Sequence, residues 1–191
     1  MNAIRALLDQ IIEINDVEWA YISRLLRERK IKAKTELVSA GKISSEMFVV
    51  QSGLLRVYHL LDGKEVTTYF ACDNQFISTY ASFVTRTPSF EVLEAVEDSV
   101  VYSITHDALN ELYRFDAKFE KLGKYIAEQN YLCIHERTLL MQTKSAKEKY
   151  LHFIESTDAK IRKNVPQHFI ASFLGITPET LSRIRKELIN S

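Results

Sequence analysis

The sequence predicts an α+β fold in which an antiparallel barrel or sandwich sits between helical segments and a small helical unit closes the chain. Three observations predict it. Apolar residues recur at steps of three and four over residues 1–30. From about Glu36 to Thr105 the chain changes to short runs rich in Val, Tyr, Phe and Thr, separated by turn signals. Beyond Thr105 the helical period returns and ends in Gln167 to Leu188, a segment whose residue types describe two short helices crossing at a tight turn.

The first helix is carried by Leu7, Leu8, Ile11, Ile12, Trp19, Ile22, Leu25 and Leu26, and the polar stretch Arg27 to Lys34 reads as its solvated end. The strand runs are ELVSAG, EMFVVQSG, LLRVYHLL, EVTTYFA, EVLEAVED and SVVYSIT, with Asp62-Gly63 as a hairpin signal between the third and fourth. Several short strands at this spacing favour a barrel or a sandwich. His106 to about Gln142 reads as a short helix followed by a long one. Along it Phe115, Phe119, Leu122, Ile126, Cys133 and Leu140 form a stripe in steps of four and three, with Gln129 and Glu136 completing the seam. Such a stripe packs on its own domain or pairs with a twin helix. A helix of this length between two small domains has little else to bury against, so Phe119, Leu122, Ile126, Cys133 and Leu140 are expected at a dimer contact, made imperfect by Gly123 and the polar seam positions. One more helix is expected around Ala146 to Ile154, then a polar connector ending Asn164-Val165-Pro166. The predicted organisation is 1–114, 115–143 and 144–191.

In the last unit Ile170, Leu174, Ile176, Leu181 and Ile184 are apolar at the positions that face one another when two helices cross steeply. Ala171 stands at the close approach, and Gly175 where the chain leaves the first helix with positive φ. Thr177 is a plausible N-cap and Pro178 suits the first helical position, where a missing N–H does no harm. The outward set is then Thr177, Pro178, Glu179, Thr180, Ser182, Arg183 and Lys186, suited to base edges and phosphates at the start of a helix in the major groove. Arg183 can meet guanine O6 and N7 with two parallel hydrogen bonds, and Glu179, one turn earlier, can accept from cytosine or orient that arginine. An ordinary helical hairpin with a solvent-exposed Glu–Arg pair is the competing reading of the same residues.

Formal net charge is zero over 191 residues, but its distribution is uneven. From Lys144 onward nine Lys and Arg stand against five Asp and Glu, net +4, and the first 143 residues carry sixteen against twenty, net −4. The positive end is the helix-turn-helix end, as phosphate contact requires. No apolar run is long enough to span a bilayer, and the N-terminal stretch lacks a basic region before an apolar one, so a cytoplasmic protein is expected. Cys72 and Cys133 cannot supply a disulfide framework or a four-thiolate metal site. His59, His106, His135, His152 and His168 are scattered without ligand spacing, and no cofactor or metal is expected.

In the order of these parts, with FVVQSGLLRVYHLLDGKEVTTYF in the strand region and IASFLGITPETLSRIRK at the end, the chain resembles the CRP/FNR superfamily of bacterial transcription regulators over essentially its whole length. The resemblance implies a jelly-roll-like double-stranded β-helix barrel, a long dimerisation helix and a C-terminal helix-turn-helix. It also implies that Glu179 and Arg183 are base-reading positions of an E-T-x-x-R motif and that Thr180 contacts phosphate; the third base-reading position, often Arg, is Pro178. Cyclic-nucleotide binders of the family carry Gly-Glu and then Arg-Ser or Arg-Thr to hold the ribose and the cyclic phosphate. Here Ser78-Thr79 and Ser89-Phe90 stand in those places, Arg86 lies three residues upstream, and Glu91 and Glu94 oppose an anion. Cyclic AMP binding in the usual mode is not expected. Ser78, Thr79, Tyr80, Ser82, Arg86 and Ser89 line the candidate ligand pocket if the resemblance holds. The chain ends three residues after Leu188, so the β-hairpin wing of many relatives is not expected, and Lys144, Lys147, Lys160, Arg162, Lys163, Arg185 or Lys186 would make the backbone contacts instead.

The expected function is that of a homodimeric regulator binding a roughly palindromic duplex site, with no catalytic role and an unidentified small-molecule effector, if any. Two other classes compete: a cupin-like metal-dependent barrel enzyme, for which the strand region offers only His59, and a ligand-free module whose helix-turn-helix contacts protein.

Overall fold

A computed structural model describes residues 1–189, so that Asn190 and Ser191, and the expectation attached to the chain end, lie outside the described residues. The strands form two four-stranded antiparallel sheets, β1-β8-β3-β6 and β2-β7-β4-β5, facing each other as a barrel. In chain order they are β1 (Arg27–Ile31), β2 (Glu36–Val38), β3 (Glu46–Ser52), β4 (Leu55–Leu61), β5 (Lys64–Ala71), β6 (Phe76–Ile77), β7 (Glu91–Ala95) and β8 (Ser99–Thr105). The helices are α1 (Asn2–Asp9), α2 (Asp16–Leu25), α3 (Tyr80–Thr85), α4 (His106–Phe115), α5 (Glu120–Thr143), α6 (Ala146–Ser156), α7 (Ala159–Asn164), α8 (Gln167–Leu174) and α9 (Pro178–Ile189).

Strand alternation explains the barrel. Phe48 and Val50 point inward to meet Leu55, Val57, Leu93 and Val101, while Met47 and Val49 point outward. That outer face is covered by α1, α2, α4 and the start of α5 through Ile4, Leu8, Ile22, Leu112, Leu122 and Ile126. A strand buried on both faces has no polar side, which is why residues 47–50 are uninterruptedly apolar. The β4–β5 hairpin closes at Asp62 and Gly63, both at positive φ, 50° and 74°, the geometry that matches strand twist.

Three elements differ from the sequence reading. The N-terminal helix is two helices, because the Asn15 side chain caps α2 by accepting from Glu18 N–H while the Glu18 carboxylate accepts from Asn15 N–H. The polar stretch after it is not a helix end: Arg27–Ile31 is strand β1, paired to β8, and its charges belong to a sheet edge, where they discourage further pairing. The connector before Pro166 contains α7, capped by Asp158 and anchored by buried Ile161.

The long helix also turns a different face to the barrel than its expected seam implies. Phe119, Leu122 and Ile126 are 0%, 6% and 4% exposed because they fill the core beneath sheet β1-β8-β3-β6 of their own chain. Cys133 and Leu140 are half-buried on the same inward side, lining cavities against the barrel and the C-terminal unit. The face left open carries Tyr125, Tyr131, Leu132 and Leu139. Periodicity identifies an apolar stripe but not the surface that covers it.

The C-terminal unit does not hang free. Leu54, Phe70 and Cys72 of the barrel share a core with Phe153, Ile161, Val165, Ile170, Ala171, Leu174 and Leu181. Ser172 of α8 continues the seam: its hydroxyl accepts from Thr67 N–H at 3.0 Å and donates to the Glu65 carbonyl at 2.8 Å. Arg56, 1% exposed, lies between the Tyr58 ring at 4.2 Å and the Phe169 ring of α8 at 3.5 Å, with its guanidinium donating to Glu65 and Glu94.

Candidate nucleic-acid interface and barrel cavity

The crossing of α8 and α9 is built as its residue types require. Gly175 leaves α8 in the left-handed region, φ 65° and ψ 35°, and Ile176 N–H closes back on the Ala171 carbonyl at 3.0 Å. The Thr177 hydroxyl then caps α9 by accepting from Thr180 N–H at 3.2 Å. Leu181 and Ile184 are buried, which leaves Glu179, Ser182, Arg183 and Lys186 exposed at steps of three and four on one face. Thr177 and Pro178 are exposed at the helix start, and Thr180 is half-buried.

Of the two roles open to Glu179, orienting Arg183 is not the one its carboxylate takes in the free protein. The Glu179 carboxyl is held below the usual range first by a hydrogen bond from its own backbone N–H and then by the Thr177 hydroxyl. It thus sits over the positive helix start, where a carboxylate is favoured. Arg183, 71% exposed along its side chain, lies 3.8 Å from Glu187 one turn later. Its guanidinium extends into solvent rather than being drawn back. Among the candidate phosphate ligands, Lys160 is spent internally, on Asp73 at 2.6 Å and Glu97 at 3.4 Å, and Arg162 donates to the Ile154 carbonyl. Lys147, Lys163 and Lys186 are exposed.

The segment in the place of a phosphate cassette is knitted to its own backbone. The Ser82 hydroxyl accepts from Ser44 N–H at 2.9 Å and donates to the Thr87 carbonyl at 2.6 Å. The Ser89 hydroxyl donates to the Glu91 carbonyl, and Arg86 donates to the Ser44 carbonyl at 2.5 Å. Ser78 donates to the Glu46 carbonyl at 3.1 Å. Thr79 is fully buried. Of the six expected pocket residues, Ser78 and Tyr80 line the main cavity; Thr79, Ser82, Arg86 and Ser89 do not. Short hydroxyl side chains reach neighbouring carbonyls more readily than a ligand, so these serve as loop scaffold.

The cavity itself, about 520 Å³, lies between the barrel and the inward face of α5. Val57, Phe76 and Ile77 line it from the barrel and Ile126, Cys133 and Met141 from the helix; Thr68, Glu91, Asn130 and Arg137 are among its polar members. Thr68 Oγ1 donates to Glu91 at 3.1 Å, and burial pushes the Glu91 carboxyl up from its ordinary value. Arg137 donates to the Thr67 carbonyl at 3.1 Å and to the Phe173 carbonyl of α8 at 3.2 Å. Sequence reasoning passed over Asn130 and Arg137. Their signal is positional: they interrupt the stripe that runs from Ile126 through Cys133 to Leu140. Burial raises both thiols, Cys72 to about 11, away from the thiolate form. Among the described residues no three His, Cys, Asp or Glu side chains converge as a metal site, and no helix is long and apolar enough to cross a membrane.

Residues 28–116 match the cyclic nucleotide-binding domain family. The chain is 24% identical over 169 residues to the transcriptional activator protein FnrA of Stutzerimonas stutzeri, covering 83% of this chain and 68% of that protein. The fold is similar to that of FixK2 from Bradyrhizobium japonicum, with TM-score 0.76, 20% identity and coverage of 86% of this chain and 85% of that one. It is also similar to a regulator from Eubacterium rectale assigned to the crp/fnr family, with TM-score 0.70, 22% identity and coverage of 93% and 85%.

Proposed function

We propose that the chain is a regulator of the CRP/FNR type that binds duplex DNA sequence-specifically as a homodimer, with α9 in the major groove. Its class is that of a CRP/FNR-type transcription regulator. The observation that carries the reading is the single exposed face of α9, Glu179, Ser182, Arg183 and Lys186, presented by a helix whose opposite side is fixed by Leu181 and Ile184. Arg183 reads a guanine through two hydrogen bonds, Glu179 accepts from a neighbouring cytosine, and Thr177, Thr180, Ser182 and Lys186 serve the backbone. Pro178 removes one potential base contact, so the site differs from one read through arginine at that position.

Two recognition helices need a twin, and the open face of α5 is the surface we assign to it. Tyr125, Leu132 and Leu139 recur at seven, the coiled-coil interval, with Glu128 and His135 between them. The cassette's internal bonding supports an effector other than cyclic AMP.

Selection of preferred duplexes from a random pool, with no added nucleotide, tests the proposal against Arg183→Ala in parallel. A palindromic motif is expected for the native chain. The substitution is expected to lower affinity for it by about 1–3 kcal/mol and relax one position per half-site. An unchanged motif in the variant would put the reading face elsewhere.

A further inference from the structure

We infer that Met141, near the end of α5, is a site of oxidation by hydroperoxides, and that its sulfoxide releases the turn between α8 and α9 from α5. Neither step rests on the DNA reading.

Placement comes first. The chain has three methionines. Met47 is 4% exposed in the core beneath α1 and α4, whereas Met1 and Met141 are each 38% exposed. Met1 stands beside Tyr102 of the barrel, its amine donating to the phenol. Met141 is set against a distant segment: a Cβ on Gly175 would collide with its methyl Cε and lie 3.5 Å from its Sδ, and beyond the chain neighbours of Gly175 nothing else described lies within 4 Å of that point. Gly175 thus carries no side chain for a second reason besides its φ of 65°, because the methionine fills the space. Met141 also lines a hollow with Phe153, Phe173 and Leu174.

The thiols do not compete well for a peroxide. It is the thiolate that peroxide oxidises, and burial raises both cysteines, Cys72 to about 11. A thioether has no proton to lose and keeps its nucleophilic lone pair at every pH. That lone pair attacks the terminal oxygen of the hydroperoxide. The S–O bond forms as the O–O bond breaks, sulfur is oxidised, and the other oxygen leaves with the proton of the transferred one, as water or an alcohol.

The product fits poorly where the thioether fitted well, since a sulfoxide is polar and chiral. Turned inward, its oxygen needs a donor. Arg137 Nε, buried without an acceptor among the described residues, stands one helical turn back and supplies it. Drawing the guanidinium that way loosens its bond to the Phe173 carbonyl of α8. Turned outward, the oxygen reaches water but lifts the methyl from Gly175. Both placements remove a contact between α5 and the segment that leads into α9.

The test is mild hydrogen peroxide treatment of the full chain, followed by peptide mass mapping and by hydrogen exchange of the Gly175 and Ile176 amides, which the native turn bonds to the Ser172 and Ala171 carbonyls. Met141 is expected to gain one oxygen while Met47 and both cysteines stay reduced, and the two amides are expected to exchange about tenfold faster afterwards. Met141→Leu, close in volume, should keep slow exchange before and after peroxide, and Met141→Gln, polar without oxidation, should exchange fast in both. Oxidation of Met47 or a cysteine ahead of Met141 overturns the site. Unchanged exchange in the Met141 sulfoxide form overturns the release, as does an acceleration that persists in Met141→Leu.

Discussion

Gly53 and Gly63 occupy adjoining turns, yet the chain needs glycine at them for different reasons. At Gly53 φ is +117° and a Cβ would meet the Ser99 backbone, 2.6 Å from its Cα, where the Ser99 hydroxyl also accepts from Leu54 N–H. At Gly63 φ is +74° but nothing lies within 4 Å. Gly53→Ala is therefore expected to destabilise by about 3 kcal/mol or more, combining strain with overpacking, and Gly63→Ala by about 1 kcal/mol from strain alone. Urea denaturation of both variants checks this, and equal losses would show that the Ser99 approach relaxes freely. Single residues were also the best-read level of the C-terminal unit: Gly175, Thr177 and Pro178 have local reasons for their places, and those reasons are visible in sequence. The Glu179 rotamer was not, because a carboxylate at a helix start has two competing partners and only geometry chooses between them.

At the scale of elements, α5 has two apolar faces, and the expected dimer stripe was the inward one. Leu122→Asp should unfold the protein because it places a charge in the core, whereas Leu132→Asp, at a position 55% exposed, should leave the melting transition in place and convert the proposed dimer to monomer. Sedimentation velocity distinguishes them; a dimer that survives Leu132→Asp moves the contact off this face. The junction of α2 with the turn before α5 carries a pH dependence. Lys118 lies 2.6 Å from Glu18, and the hydrogen bond from Lys118, then that from Asn15, lowers the Glu18 carboxyl below its ordinary 4.5. A carboxylate lowered on folding contributes stability that is present above its unfolded value and lost as pH falls through its folded one. Glu18→Gln should therefore flatten the acid limb of a stability-versus-pH curve below about pH 4.5 and leave its slope near neutrality unchanged. Helices and strands with strong periods were legible. Strand β1 was not, because an edge strand rich in Arg, Glu and Lys has the composition of a solvated helix end.

For the whole molecule the decisive feature is that the helix-turn-helix rests on the barrel, through the Phe169 ring over Arg56 and Ser172 against the β5 backbone. Phe169→Ala should weaken this docking by about 1–3 kcal/mol, seen as faster hydrogen exchange at Thr67 and along α8 with the inner barrel strands unaffected. Uniform exchange throughout would mean that the two parts open as one unit. The sequence by itself determined what depends on neighbours along the chain: the β4–β5 hairpin, the crossing of α8 and α9, and the outward set on α9. Each is specified within a few residues, by φ preference, capping and period. Only the tertiary structure decided which face of α5 is covered, that Ser82, Arg86 and Ser89 bind their own loops, and that Arg137 spans Thr67 and Phe173, 70 and 36 positions away. Those outcomes depend on which surfaces meet when distant segments compete for the same apolar area and the same carbonyls, and no local pattern encodes the winner.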